Sequence, residues 1–171
     1  MTTLSQTVDA PAQPQVAQLR PVVGWMALIA RLVLGGVLLY AGYPKVRDVA
    51  GFIHAVNGYD LLPDWGVLLV ASTLPWVECA VGASLILGGW TRGGALVATV
   101  LVAAFTGATS SAVIRHLDIS CGCFSAEGST VSWSDVALHG TLIVPAIFLL
   151  VVGAGRLGLD RLWSRSKASP A

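Results

Sequence analysis

Long apolar runs separated by short polar connectors form the main pattern of this sequence. Four runs, at about residues 25–43, 65–89, 93–114 and 135–155, are each long enough to cross a hydrocarbon core about 30 Å thick, which takes roughly 20 helical residues. None of them alternates apolar and polar residues as a membrane strand does, so helices are the spanning structure that fits. The pattern therefore predicts an all-α integral membrane protein, built as a four-transmembrane-helix bundle.

The connector after the first run has a helical pattern of its own. Val46, Val49, Ile53 and Val56 recur at helical spacing, with polar and charged residues elsewhere on the wheel. This pattern is typical of a short amphipathic helix that lies at the membrane interface. The helix is expected either to cover a site as a lid or only to anchor the chain, and the pattern does not separate these two roles.

Composition excludes two large classes of protein. Of the 171 residues, 55% are hydrophobic and 11% are charged, whereas about 25% of residues are charged in a typical soluble domain. The mean hydropathy is +0.76, which excludes an ordinary soluble domain. A formal net charge of +1 provides no basic surface for nucleic acid, which is not expected as a partner.

The basic residues predict an orientation in the membrane. The side with both termini carries Arg20, Arg92, Arg156, Arg161, Arg165 and Lys167, and the other side carries Lys45, Arg47 and Arg115. The positive-inside rule then places both termini in the cytoplasm and the connectors 44–64 and 115–134 outside the cell membrane. We expect a disordered cytoplasmic tail at 1–21, a membrane domain at 22–155 and a basic cytoplasmic tail at 156–171. Residues 1–19 contain no Lys or Arg, unlike a cleaved export signal.

Two charged residues lie inside the first two predicted spans. Counted from the outer ends at Tyr43 and Trp65, Arg31 and Glu78 both lie roughly 18 Å deep at 1.5 Å per residue. Equal depth predicts a buried pair with bidentate hydrogen bonds between the two helices. The pair is expected either to hold the helices in register or to line a site for a quinone headgroup or a proton path.

Small residues mark candidate contact faces between the helices, because membrane helices pack through residues that let backbones approach. They recur every four residues at Thr99, Ala103 and Gly107, and also occur at Gly35, Gly36, Gly82 and Ser84. These positions are predicted to lie between helices.

The connector between the third and fourth runs contains Cys121 and Cys123, separated by Gly122. Two thiols one residue apart can close a small disulfide ring, and a glycine between them relieves backbone crowding. We expect that ring to be strained, which raises its reduction potential and is typical of a catalytic rather than a structural disulfide. Arg115 and His116 precede the pair and are candidate stabilisers of a thiolate.

Other roles remain open for Cys121 and Cys123. They could bind metal with His116 or His139, but four ligands at standard zinc spacing are not present, so no metal site is predicted. They could form a purely structural bridge, or stay as inert thiols. Inert thiols are the least expected of these, because thiols exposed in an oxidising compartment rarely remain unreacted. Redox exchange is favoured, because the expected strain of the ring makes the disulfide labile.

Several motifs together resemble a known family. In order they are Arg31, Gly42-Tyr43-Pro44-Lys45, Tyr59-Asp60-Leu61-Leu62-Pro63, Leu74-Pro75-Trp76-Val77-Glu78, Cys121-Gly122-Cys123-Phe124 and Ser132-Trp133. Over about residues 25–153 the chain resembles the methylamine utilisation protein MauE family, within the DoxX-like redox-associated membrane proteins. The resemblance implies a four-helix membrane protein that works beside a thioredoxin-like partner in the maturation of disulfide-containing proteins.

The leading functional hypothesis is a membrane component of a thiol–disulfide relay. Cys121 and Cys123 would exchange electrons between a thioredoxin-like protein and either a quinone or a second thiol carrier. The alternative is a non-catalytic membrane subunit that anchors or stabilises a respiratory or oxidase complex. A third hypothesis is a chaperone that handles metal or haem through the two cysteines and a histidine.

Overall fold

The computed structural model describes residues 14–117, 119 and 131–153, with side chains from Val22 onward. The described residues form five helices: α1 Pro14–Arg47, α2 Val49–Gly58, α3 Asp64–Leu87, α4 Thr91–Ile114 and α5 Trp133–Val152. Four segments are long and apolar enough to cross a membrane: Val22–Arg47, Asp64–Leu87, Thr91–Ile114 and Trp133–Val152. The predicted four-helix membrane bundle is confirmed, and α2 is the short helix predicted in the first connector.

The first span extends further than its apolar pattern predicts. α1 continues through Pro44 and Lys45 to Arg47, although the predicted span ends at residue 43. Asp48 alone separates α1 from α2, and its backbone N–H still donates to the carbonyl of Pro44 at 3.0 Å. The Asp48 carboxylate caps α2 by accepting a hydrogen bond from the Gly51 N–H at 2.8 Å. Lys45 therefore belongs to a spanning helix and not to a loop.

α1 packs closely along α3, and two glycines allow this approach. A Cβ added to Gly35 would lie 2.8 Å from the carbonyl oxygen of Gly82, and one added to Gly82 would lie 2.8 Å from that of Gly35. Both distances are too short for a side chain, so backbone meets backbone here. A Cβ on Gly36, by contrast, would meet nothing within 4 Å. Of these predicted contact residues, Gly35 and Gly82 lie between helices and Gly36 does not.

The predicted contact face of α4 is wrong. Ala103 and Gly107 are exposed, and the Thr99 hydroxyl donates within its own helix to the Ala95 carbonyl at 2.7 Å. The buried residues of α4 are Thr91, Gly94, Ala95, Ala98, Val102, Thr109 and Ala112. Two neighbouring faces of α4 both carry small residues, and the face that packs against α5 and α3 is the one that contains Ala95 and Ala98.

The apolar core lies where α1, α3, α4 and α5 meet. Its fully buried members include Leu34, Leu85, Ala98 and Leu149, one from each of these helices. α2 lies outside this core and packs mainly against α3. The described structure therefore has a tightly packed four-helix region and, at the end near α2, a more open region that contains the candidate site.

Candidate functional site

A buried ion pair joins α1 to α3. Lys45 Nζ donates to both carboxylate oxygens of Glu78, at 2.9 Å and 3.0 Å. The two residues are only 4% and 1% exposed. A buried charge carries a penalty of several kcal/mol unless a partner compensates it. The pair meets that requirement within the spanning helices, where ionisable residues commonly mark functional sites.

Aromatic rings surround the ammonium group of this pair. Lys45 Nζ lies 5.0 Å from the ring centroid of Phe52 on α2 and 4.6 Å from that of Phe105 on α4. Both distances fall within the range of cation–π attraction. The buried ring of His139 on α5 stacks on Phe105, with centroids 6.3 Å apart and planes inclined by 22°. Each of the five helices thus contributes one residue to this cluster.

The predicted pair between Arg31 and Glu78 is wrong. The Arg31 Nε–H donates to the carbonyl of Leu85 at 2.8 Å, and its Nη2 donates to the carbonyl of Ile86 at 3.1 Å. These carbonyls belong to the last turn of α3, about two helical turns beyond Glu78. Lys45, which the sequence pattern places in a loop, is the cation that binds Glu78.

The error comes from the alignment of α1 with α3. The predicted depths assume that Tyr43 on α1 and Trp65 on α3 lie at the same height in the membrane. In the structure Gly42 is the α1 residue beside Glu78, because a Cβ there would lie 3.0 Å from the Glu78 Cβ. Arg31 precedes Gly42 by eleven residues, which is about 16 Å along a helix. Lys45 reaches Glu78 because helical side chains incline toward the N-terminus.

An apolar cavity of about 340 Å³ lies next to the ion pair, between α2, α3 and α4. Residues of all three helices and of the α2–α3 connector line it, among them Phe52, Tyr59, Leu62, Leu74, Ala104 and Phe105. Phe52 and Phe105 are also the two rings that contact the Lys45 ammonium. The same aromatic pair therefore separates the buried charges from the cavity.

The end of α4 is attached to the connector between α2 and α3. Arg115 Nη1 donates to the Tyr59 carbonyl at 2.9 Å, and Nη2 contacts the Asp60 carboxylate at 3.1 Å. His116 is exposed and has a positive φ of 51°. Cys121 and Cys123 lie outside the described residues. The structure therefore locates the two candidate thiolate stabilisers but not the thiols.

The two flanks of the cysteine segment meet each other. The Val131 N–H donates to the Ile119 carbonyl at 2.9 Å, so residues 120–130 begin and end at one place. Directly after Val131, a capping box starts α5, in which the Ser132 N–H donates to the Asp135 carboxylate at 2.9 Å. Ile119 in turn lies near α2, since a Cβ on Gly58 would be 3.2 Å from its Cγ2.

The sequence did not indicate that Lys45, Phe52, Phe105 and His139 lie in one cluster. Lys45 carried one usable signal, because the helical pattern of the connector begins at Val46, directly after it. The contacts of Phe52, Phe105 and His139 depend on how separate helices pack, which periodicity does not report. Within the described part of the chain, no three or more His, Cys, Asp or Glu side chains are grouped to hold a metal ion.

Known proteins match most of this chain. The family profile described as "Methylamine utilisation protein MauE" matches residues 23–157. A methylamine utilization protein MauE of Paracoccus denitrificans is 32% identical over 135 residues, which cover 78% of this chain and 70% of that protein.

Two further relatives have the same name. The protein of Methylophilus methylotrophus is 34% identical over 99 residues, covering 57% of this chain and 52% of its own length. The protein of Methylorubrum extorquens is 30% identical over 114 residues, covering 66% and 61%. This chain therefore spans between about half and two thirds of these two relatives. No solved structure matches the chain.

Proposed function

The chain belongs to the methylamine utilisation protein MauE family, and on this premise we propose that it is a membrane component of a thiol–disulfide relay. In this proposal it is an accessory membrane protein for methylamine utilisation. Cys121 and Cys123 exchange electrons with a thioredoxin-like partner during the maturation of disulfide-containing proteins. The family and the multi-pass helical structure support a membrane location, and the cysteine pair is the group proposed to react.

The observation that carries this proposal is the closed base of the cysteine segment. The hydrogen bond between Val131 and Ile119 brings the flanks of residues 120–130 together at one end of the bundle. We propose that a segment attached in this way offers both thiols to a partner at this end of the bundle, as thiol–disulfide exchange requires, because the attacking thiolate must reach a disulfide sulfur directly.

The proposed step is a thiol–disulfide exchange through a mixed disulfide. A thiolate of the reduced partner attacks the Cys121–Cys123 disulfide, which forms a mixed disulfide and releases one thiolate of the chain. The second partner thiolate attacks the mixed disulfide and completes the transfer. The partner loses two electrons and two protons and becomes a disulfide, and Cys121 and Cys123 gain them and become thiols. A quinone or a second thiol carrier then reoxidises the pair.

Arg115 and His116 are the proposed stabilisers of the released thiolate, since a nearby cation favours the ionised thiol. The contacts of Arg115 with Tyr59 and Asp60 hold its guanidinium at the base of the cysteine segment. An Arg side chain has five N–H donors, so donors remain for a thiolate. His116 is exposed one residue further along the chain.

The proposed orientation places the cysteine segment outside the cell membrane and both termini in the cytoplasm. The burial of Lys45 against Glu78 supports it, because Lys45 no longer counts as a basic loop residue. Arg47 and Arg115 then remain on the outer side, against six basic residues on the other side. The positive-inside rule favours the same orientation more strongly after this change. An outer location exposes the cysteines to an oxidising compartment.

A trapping experiment tests the relay. Cys121→Ser and Cys123→Ser are each expressed in cells that contain the native partner, and membranes are analysed without reductant. At least one variant should hold a thioredoxin-like protein as a mixed disulfide, because the resolving thiol has been removed. Mass spectrometry should identify the bond between the remaining cysteine and a cysteine of that protein.

Cys79→Ser is the matched control, since Cys79 lies within α3 beside Gly42, outside the cysteine segment. It should trap nothing. The relay is wrong if neither single variant forms a mixed disulfide. Retention of a respiratory or oxidase complex by the double variant Cys121→Ser/Cys123→Ser would then favour the anchoring subunit instead.

A further inference from the structure

We propose that the apolar cavity between α2, α3 and α4 binds the ring of a membrane-soluble quinone, which is the electron acceptor of the cysteine pair. The inference rests on the proposed relay and specifies its oxidant. It also differs from the sequence expectation, which placed a quinone headgroup beside Arg31 and Glu78.

The size and walls of the cavity suit an aromatic or quinonoid ring. Its volume is about 340 Å³, within the range of about 300–1,000 Å³ that small-molecule sites occupy. Three aromatic side chains, Phe52, Tyr59 and Phe105, line it among aliphatic residues. Flat rings prefer offset-stacked or edge-to-face contacts with other rings. A polar substrate or an ion would lose its hydration here without gaining enough hydrogen bonds.

The buried ion pair favours a quinone over a lipid acyl chain as the occupant. Reduction of a quinone to a quinol consumes two protons, whereas an acyl chain needs none. The Lys45 ammonium lies within 5.0 Å of the centroids of Phe52 and Phe105, the two rings that also line the cavity. Together with Glu78 it places exchangeable protons directly behind the cavity wall, inside the spanning helices.

The cavity is also linked to the flank of the cysteine segment. Tyr59 lines the cavity, and its carbonyl accepts the hydrogen bond from Arg115 at 2.9 Å. Ile119 lies against Gly58, the residue before Tyr59. One short part of the structure, residues 58–60, therefore contacts the cavity on one side and the approach to Cys121 on the other. The flank of the cysteine segment and the cavity are therefore neighbours in the fold.

The proposed step balances. The Cys121 and Cys123 dithiol loses two electrons and two protons as its S–S bond forms. The quinone gains these two electrons and takes two protons from the side of the Lys45–Glu78 pair, where the two protons released by the dithiol replace them, and it becomes a quinol. The pair is then ready to accept electrons again from the thioredoxin-like partner. No metal ion or additional oxidant enters the step.

Photolabelling tests the site independently of the relay. The double variant Cys121→Ser/Cys123→Ser, which cannot exchange thiols, is placed in phosphatidylcholine nanodiscs and irradiated with a short-tailed azidobenzoquinone. Mass spectrometry should find the label within residues 52–62 or 101–108. In the same background, Ala104→Phe fills part of the cavity. The larger side chain should weaken quinone binding, and therefore lower the labelling, about tenfold.

Ala103→Phe is the matched control. Ala103 and Ala104 are adjacent and both exposed on α4, but only Ala104 lines the cavity. Ala103→Phe should leave the labelling unchanged. Ala108→Leu, a smaller change in the same wall, should lower the labelling if Ala104→Phe fails to fold. Equal labelling of the cavity variants and the control would overturn the proposal, as would complete displacement of the label by decanoic acid at the quinone concentration. A failed trapping experiment with intact labelling would instead remove the relay alone.

Discussion

Two buried cations on α1 are bound by α3 in different ways. Lys45 donates to the side-chain carboxylate of Glu78. Arg31 donates to the main-chain carbonyls of Leu85 and Ile86, in the last turn of α3. The two cations are 4% and 1% exposed, so burial alone does not distinguish them. Their partners and their surroundings do.

The two contacts differ in what they require of α3. The last carbonyls of a helix have no partner within it and carry partial negative charge, so a cation binds them favourably. Residues of any type at positions 85 and 86 supply these carbonyls, which suits a contact that holds α1 against the end of α3. The Lys45 contact depends on one carboxylate and adjoins a cavity. The Lys45 contact is therefore the one that a ligand in the proposed cavity site would affect.

The largest effect is expected from breaking the Lys45–Glu78 pair. Glu78→Leu leaves a buried ammonium without its carboxylate and should lower the free energy of unfolding by about 3–5 kcal/mol. Lys45→Met/Glu78→Leu removes both charges and should recover most of that loss. Unfolding of the purified protein in mild detergent measures both. A double variant no more stable than Glu78→Leu would show that lost ion pairing is not the cause.

Arg31→Leu should have a smaller effect, about 1.5–3 kcal/mol, because it removes hydrogen bonds from a charged donor to main-chain carbonyls. A double-mutant cycle with Glu78→Gln sharpens the comparison. Sites more than about 7–10 Å apart combine additively within about 0.5 kcal/mol, so Arg31 and Glu78 should show no coupling. Coupling well above that value would restore the direct pair that the sequence predicts.

The glycine contact that sets the alignment of α1 and α3 should respond to a single methyl group. Gly35→Ala places a Cβ 2.8 Å from the Gly82 carbonyl oxygen and should cost about 1–3 kcal/mol by overpacking. Gly36→Ala is the neighbouring control, with nothing within 4 Å of its Cβ. That control should be neutral or slightly stabilising. Equal unfolding midpoints for the two variants would contradict the close approach.

The smallest effect is expected at the surface pair of Arg115 with Asp60. These side chains are 38% and 85% exposed, so Asp60→Asn should change the free energy of unfolding by about 0–1 kcal/mol. Salt screens exposed charges, and the difference between the variant and the parent protein should disappear at high ionic strength. A large loss of stability that persists at high ionic strength would contradict the assignment of this contact as a weak surface ion pair.

Long apolar runs made the helical fold predictable, because spanning a membrane imposes length and composition on every helix. The alignment between helices was not predictable in the same way. Pro44 and Tyr43 suggested a helix end, whereas the backbone continues to Arg47. That extension moves Lys45 from a loop into the bundle. A pattern of residue types defines the faces of one helix. The position of one helix along the axis of its neighbour depends instead on contacts between them, such as Gly35 with Gly82.

Small residues on α4 illustrate a second limit. Thr99, Ala103 and Gly107 have the spacing of a contact face, and so do Ala95, Ala98 and Val102 on the adjacent face. In lipid both faces can be apolar, so hydrophobicity does not select between them. The cysteine pair, by contrast, is evident from the sequence alone, because Cys121 and Cys123 are separated by a single residue and their proximity does not depend on packing.

The redox state of Cys121 and Cys123 tests the relay most directly. Membranes are treated with an alkylating reagent before and after equilibration with a graded series of thiol concentrations, and the mass of the peptide containing both cysteines is measured. The relay predicts that the two are bonded to each other in air and open at mild thiol concentrations, because a labile disulfide has a high reduction potential. Cysteines that alkylate fully before any reductant is added, or a disulfide that resists strong reductant, would contradict it.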